Sequence, residues 1–174
     1  MVKVGAGSTA AAAHHAGGTP KLVDCAPDHL IDPKSAERAI TPRTRGIMPV
    51  QLNGRTANMD PLLALAVRHG LFIVEDSCQA LGSRFKDRFP GTFGVAGSIS
   101  FYPSKTLGCF GDGGAIVTND DAVADAVRML GRAVRRAQPL VGTTLAGVRD
   151  AFRTRTRRAG RQLLCRALAG MGGD

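Results

Sequence analysis

The stretch GSISFYPSKTLGCFGDGGAIVTN, residues 97–119, sets one lysine, Lys105, between two apolar strand-like runs and among small residues. Ile99, Phe101 and Tyr102 read as the end of a strand, which Pro103 and Ser104 stop. Gly108, Gly111, Gly113 and Gly114 make a loop able to take positive φ and to approach a ligand closely. Residues 115–118 read as a second strand. No helix separates the two, and the link is too short for a usual parallel crossover, so the second strand is expected to run antiparallel to the first. A lysine in such a turn is restrained by its neighbours, and partial burial would favour the free amine, the form that attacks a carbonyl. The bland alternative is a solvated lysine in a glycine-rich surface loop.

Upstream, residues 71–79, LFIVEDSCQ, form an apolar strand that ends in two adjacent carboxylates, Glu75 and Asp76. Strand alternation points them to opposite faces. Ligands of open α/β sheets bind outside the carboxyl ends of the strands, so one acid can face a ligand while the other faces the scaffold or solvent. The alternative is a pair that caps the next turn. An acid at one strand end, the Ser100 hydroxyl and Lys105 five residues later together supply what pyridoxal phosphate (PLP) requires: a partner for the pyridinium nitrogen, a phosphate ligand and a Schiff-base amine.

With these residues in place, the chain resembles the DegT/DnrJ/StrS sugar aminotransferases, PLP enzymes of the fold type I, aspartate aminotransferase-like class. The resemblance rests on PVQLNGRTANMD (residues 49–60), HGLFIVEDSCQALGSRFKDR (69–88) and SFYPSKTLGCFGDGGAIVTND (100–120), in the family's order and spacing. It implies that Lys105 is the Schiff-base lysine and the catalytic general base. Asp76 would pair with the pyridinium nitrogen, Gln79 would lie near the ring oxygen, and Ser100 would bind the phosphate. It implies an amino donor, usually glutamate, a keto-sugar nucleotide as acceptor, a homodimer for the complete family member, and a role in making polysaccharide, lipopolysaccharide or glycosylated metabolites. Family members with histidine at the lysine position act as dehydratases, so Lys105 speaks for transamination.

The rest of the chain reads as strand, helix, strand, helix, strand. Residues 21–25 are a strand, and Asp32 and Pro33 open a helix to about Ile40. Residues 45–52 are a buried strand, and Asp60 with Pro61 opens a second helix that Gly70 closes before the 71–76 strand. This order predicts βαβ units: a three-layer α/β fold with a mostly parallel sheet and helices on both faces, here part of the fold type I large domain. Residues 80–96 are expected to run over the surface. Behind Asn119 or Asp120 as cap, Val123, Ala126, Val127 and Leu130 mark an amphipathic helix.

At 174 residues and 44% hydrophobic, with no apolar run of membrane-spanning length, the chain is expected to be a soluble, cytoplasmic protein with one sizeable core. Cys25, Cys78, Cys109 and Cys165 are dispersed with no CxxC pair, against a zinc knuckle or a disulfide framework. The net charge of +9 is uneven. Residues 1–131 carry 13 Lys and Arg against 12 Asp and Glu, whereas residues 132–174 carry 10 arginines against Asp150 and Asp174. The electrostatic footprint that nucleic acid or an anionic membrane would favour therefore belongs to the tail alone, and a nucleic-acid partner is not expected.

Three segments follow. Residues 1–13 read as a non-matching N-terminal segment, residues 14–131 as part of the transferase large domain, and residues 132–174 as a basic Arg/Ala/Gly-rich tail. The tail suits either a basic amphipathic helix or a low-complexity end left by truncation or a shifted reading frame, the latter favoured because it holds arginine and no lysine. Ser8 and Thr9 look superficially like a phosphate-binding segment, but the spacing to the next strand is too short for one. With the arm, the phosphate segment, the ring-stacking residue and the small C-terminal domain expected to be missing, residues 1–174 alone are expected to show no appreciable sugar amination. The alternative function is an inactive family remnant or a binding module acting through its tail.

Overall fold

In the computed structural model, residues 2–3 and 7–137 are described, with side chains for residues 7–132. In chain order the elements are β1 (Val2–Lys3), α1 (Gly7–His15), β2 (Lys21–Leu22), α2 (Pro33–Ala39), β3 (Gly46–Met48), α3 (Met59–His69), β4 (Phe72–Asp76), β5 (Ala96–Ser100), β6 (Gly114–Val117) and α4 (Asp121–Ala137). They form one sheet in the order β2-β1-β3-β4-β5-β6, parallel through β5 and closed by the antiparallel β6. The three-layer, mostly parallel α/β fold expected from the sequence is the one observed, including the antiparallel last strand. Of the tail expected over residues 132–174, residues 132–137 continue α4, and residues 138–174 lie outside the described residues.

The direction of winding explains the layers. From β1 the chain steps outward to β2, then crosses back past β1 to β3 and continues the other way. Crossovers of one hand that run in opposite directions must lie on opposite faces. Accordingly, α1 and α4 cover one face, where Ala13, Ala16 and Val123 pack with Met48, Val74 and Ala96. On the other, α2 and α3 bring Ala36, Leu62, Leu65 and Ala66 against Ile47 and Ile73. Met48 and Val74 belong to one face and Ile47 and Ile73 to the other, as the twofold alternation of a strand requires.

Local chemistry sets the element ends. Asp32 caps α2, its carboxylate accepting from the amides of Lys34 (3.0 Å) and Ser35 (3.1 Å), with Pro33 in the first turn. Asp120 does the same for α4 through the amides of Ala122 and Val123. The second expected helix begins earlier than Asp60: α3 starts at Met59, and Asp60 sits in its first turn paired with Lys86. Gly70 closes it in the left-handed conformation at φ 61°, where glycine carries no Cβ penalty. The strand expected over residues 21–25 is shorter, because Cys25 turns away to bridge Ile31.

Two departures matter for the site. Residues 1–13, set apart in the sequence reading, contribute β1, paired on both sides within the sheet, and most of α1. Residues 80–96 do not run wholly over the surface: Pro90, Gly91 and Phe93 are buried. This segment joins two neighbouring parallel strands without a helix, and its second half is drawn under the sheet end by Glu75.

Close backbone packing accompanies that connection. A Cβ on Gly97 would lie 2.2 Å from the Gly91 Cα. Because backbone rather than a flexible side chain blocks it, Gly97→Ala is expected to destabilise the fold by roughly 1–3 kcal/mol, as overpacking does. Chemical denaturation against the unsubstituted chain measures this, and an unchanged midpoint would show that the two segments separate at little cost.

Candidate active site

The two carboxylates at the end of β4 have separate fates. Glu75 points to the α2/α3 face and is fully buried. It accepts hydrogen bonds from the amides of Gly91 (2.8 Å), Phe93 (2.7 Å) and Gly94 (3.0 Å) and from the Gln51 side-chain amide (3.1 Å). Gln51 in turn accepts from the Ala57 amide at 2.7 Å. Glu75 is therefore a structural clamp that organises the loop leading into β5.

Asp76 points to the α1/α4 face at the carboxyl end of the strand and is 8% exposed. Its main chain is fixed by the segment just past β3: the Asp76 amide donates to the Pro49 carbonyl, and the Asp76 carbonyl accepts from the Gln51 amide. One carboxylate oxygen accepts from the Thr9 hydroxyl at 2.6 Å, and the other accepts from the Cys78 amide at 3.3 Å. A carboxylate offers about four acceptor positions. Two donors leave room for a third, which a protonated ring nitrogen would fill.

Strand register brings the remaining residues to the same face. Ser98 lies opposite Asp76 on β5, and Ser100 is on the same side two residues farther, roughly 6–7 Å along the strand. The Ser100 oxygen accepts from the Tyr102 amide at 3.3 Å and keeps its own hydrogen for another acceptor. Lys105 is partly buried in the following turn, its amide donating to the Tyr102 carbonyl. Among the described residues its ammonium has no hydrogen-bond or ion-pair partner. Gln79 lies just past β4 and is exposed; its carbonyl holds the Gly54 amide. Asp76, Ser100 and Lys105 thus gather at one end of the sheet, with Gln79 at its margin. Thr9 is the contact the sequence reading missed; the Ser8–Thr9 pair was the available signal, weighed there as a phosphate segment rather than as a partner for Asp76.

Cys78 reports the electrostatics of this end. Burial first, and then the Asp76 charge, push its thiol up to about 11, while a hydrogen bond with Ser98 and the charge of Lys105 act the other way. The raised value leaves on the order of one thiol in a thousand ionised at pH 8, and the thiolate is the reactive form. Alkylation of Cys78 at pH 8 is expected to be much slower than that of the exposed Cys25 and to climb about tenfold per pH unit up to roughly pH 10. Peptide mapping after timed iodoacetamide treatment reads both rates; equal rates would contradict this electrostatic picture.

Glycines shape the loop around Lys105. Gly111 takes φ 103°, and Gly108 packs so closely that a Cβ there would lie 2.5 Å from the Pro103 carbonyl oxygen. Two surface cavities lie elsewhere, one of about 330 Å³ between Lys21 and Arg38 and one of about 380 Å³ beside Arg45 and His69. Neither touches the residues above, which sit on an open sheet end flanked by the exposed side chains of Tyr102, Leu107 and Phe110.

Among the described residues the site fits a pyridine cofactor: a nearly buried carboxylate with room for another donor, a hydroxyl with a free donor, and an amine without a partner. The model of the DegT/DnrJ/EryC1/StrS aminotransferase family matches residues 1–147, and the chain belongs to that family. It is 53% identical over 115 residues, 66% of this chain and 30% of the relative, to a dTDP-3-amino-3,4,6-trideoxy-alpha-D-glucose transaminase from Streptomyces venezuelae. Among solved structures it resembles S. venezuelae DesV in complex with a ketimine intermediate, with TM-score 0.70 and 48% identity over 74% of this chain and 36% of that one. It also resembles the E. coli GDP-4-keto-6-deoxy-D-mannose-3-dehydratase with bound hydrated PLP, with TM-score 0.64 and 29% identity over 68% of this chain and 31% of that one. The chain spans about a third of the length of these relatives. Its fold is that of the PLP-dependent fold type I aminotransferases.

Proposed function

We propose that this chain carries the cofactor-binding core of a PLP-dependent sugar aminotransferase, which moves an amino group from glutamate to a keto-sugar nucleotide. The observation that carries the reading is the convergence of the nearly buried, two-donor carboxylate of Asp76 with the unpartnered amine of Lys105 on one end of the sheet. When bound, PLP supplies an aldehyde for covalent attachment and a ring that accepts electrons. Asp76 would keep a proton on the ring nitrogen, because a carboxylate favours a neighbouring positive charge. Ser100 would donate to the phosphate, and Gln79 would border the ring oxygen. Lys105 would anchor the cofactor through its amine and would move the proton at the donor's α-carbon as general base. A lysine rather than a histidine at this place separates amination from the dehydration named for the E. coli relative.

The exposed Tyr102, Leu107 and Phe110 beside Lys105 support a homodimer in which a second copy covers the site. No helix among the described residues is long and apolar enough to cross a membrane. With dispersed thiols this supports work in the cytoplasm. Residues 14–131 form the core of this reading.

The test is a chimera carrying residues 1–137 in place of the matching segment of the S. venezuelae transaminase, assayed with glutamate and a panel of 3-keto and 4-keto nucleotide sugars. Amination of any of them supports the proposal; a folded, PLP-bound chimera that only dehydrates them, or leaves them unchanged, overturns it. In the same chimera, Asp76→Asn is expected to leave PLP bound while lowering kcat by about 10²-fold or more, since an amide does not hold the ring proton. Steady-state kinetics at saturating PLP check this. Unchanged turnover with lost stability would assign Asp76 a capping role instead.

A further inference from the structure

Thr9 lies in the first turn of α1, 67 residues before Asp76, and its hydroxyl donates to Asp76 at 2.6 Å. The side chain is 2% exposed. A helix reaches a sheet end this closely only if the residues between them are small. Here Ala12 and Ala13, 2% and 0% exposed, form the buried surface of α1 with Thr9, and Ala16, 6% exposed, follows just past its end. The hydroxyl occupies one oxygen of a carboxylate whose other oxygen receives the longer, weaker 3.3 Å bond from the Cys78 amide. The Thr9 bond is thus the stronger of the two constraints on how the carboxylate plane is turned.

We propose that Thr9 is a positioning residue: by holding Asp76 Oδ2 it sets the orientation in which the carboxylate meets the ring nitrogen of the cofactor. The inference rests on the function proposed above but concerns a different residue on a different element. A threonine that only satisfied a buried acid would affect folding; one that positions the acid also affects how the cofactor sits.

The experiment uses the full chain, titrated with PLP and followed by absorbance and by circular dichroism of the cofactor band. Thr9→Val keeps the shape and removes the hydroxyl. It is expected to weaken PLP binding about tenfold, in the range of a lost hydrogen bond to a charged group, and to change the dichroic intensity of the band. Thr9→Ser should restore both, and in an Asp76→Asn background Thr9→Val should have no further effect. If Thr9→Val does not fold, Thr9→Ala, suited to a helix, is read the same way. PLP affinity within twofold of the unsubstituted chain with an unchanged band would overturn the positioning role alone. An unsubstituted chain that takes no PLP onto Lys105, read by borohydride fixation and mass, would overturn the proposed function and this inference with it.

Discussion

Replacing Glu75 with alanine is expected to destabilise the fold severely. The carboxylate is fully buried and receives four hydrogen bonds, three from the main chain of residues 91–94 and one from Gln51. Its removal leaves those donors without partners in a site that water does not reach. Each unsatisfied buried donor costs about 1–3 kcal/mol. Even with relaxation, a loss of about 4 kcal/mol or more is expected, against a total stability on the order of 5–15 kcal/mol. Phe93, part of the α2/α3 core, would be released with its loop. Glu75→Gln keeps the shape but turns an NH2 group toward amide donors, so an intermediate loss of about 2–3 kcal/mol is expected. Denaturation of the three proteins measures the series. Stability retained in the alanine variant would show that the 91–94 loop is held by other means.

Replacing Lys105 with alanine is expected to have the largest functional effect. In the chimera assay, general-base catalysis alone accounts for about 10²–10⁴-fold in rate, and covalent anchoring of the cofactor is lost with the same side chain. A fall in kcat of at least about 10³-fold is expected, with the melting temperature little changed, since Lys105 is only partly buried and its side chain makes no ion pair among the described residues. The two substitutions act on different properties: Glu75→Ala weakens the fold and leaves the reactive side chains in place, whereas Lys105→Ala removes the chemistry and spares the fold. A Lys105→Ala chimera with more than about a tenth of the original kcat would place the base elsewhere.

How much of this was legible in the sequence follows from which signals are local. The pair Glu75–Asp76 was legible because alternation along an apolar strand is a local rule, and the two side chains do face opposite layers. The caps at Asp32 and Asp120 and the closing Gly70 were legible for the same reason. The antiparallel β6 followed from the absence of a crossover helix. Thr9 was not legible as a partner of Asp76: β1 has two residues, too few to show alternation, and α1 is alanine-rich, so no apolar stripe marks its buried side. The buried course of residues 90–94 was hidden because its cause is the side chain of Glu75, a non-local acceptor, rather than any apolar pattern in the loop itself. In the glycine loop, only Gly111 among the four glycines takes positive φ; Gly108 serves close packing against Pro103.

The most direct test of the central claim is where the cofactor attaches. The full chain, saturated with PLP and treated with borohydride, is digested and mapped by mass spectrometry. A single phosphopyridoxyl label on the peptide containing Lys105, absent from the Lys105→Ala protein, is the predicted result. A label spread over other lysines such as Lys21, Lys34 and Lys86, or one that persists in Lys105→Ala, would contradict the assignment of this end of the sheet as the cofactor site.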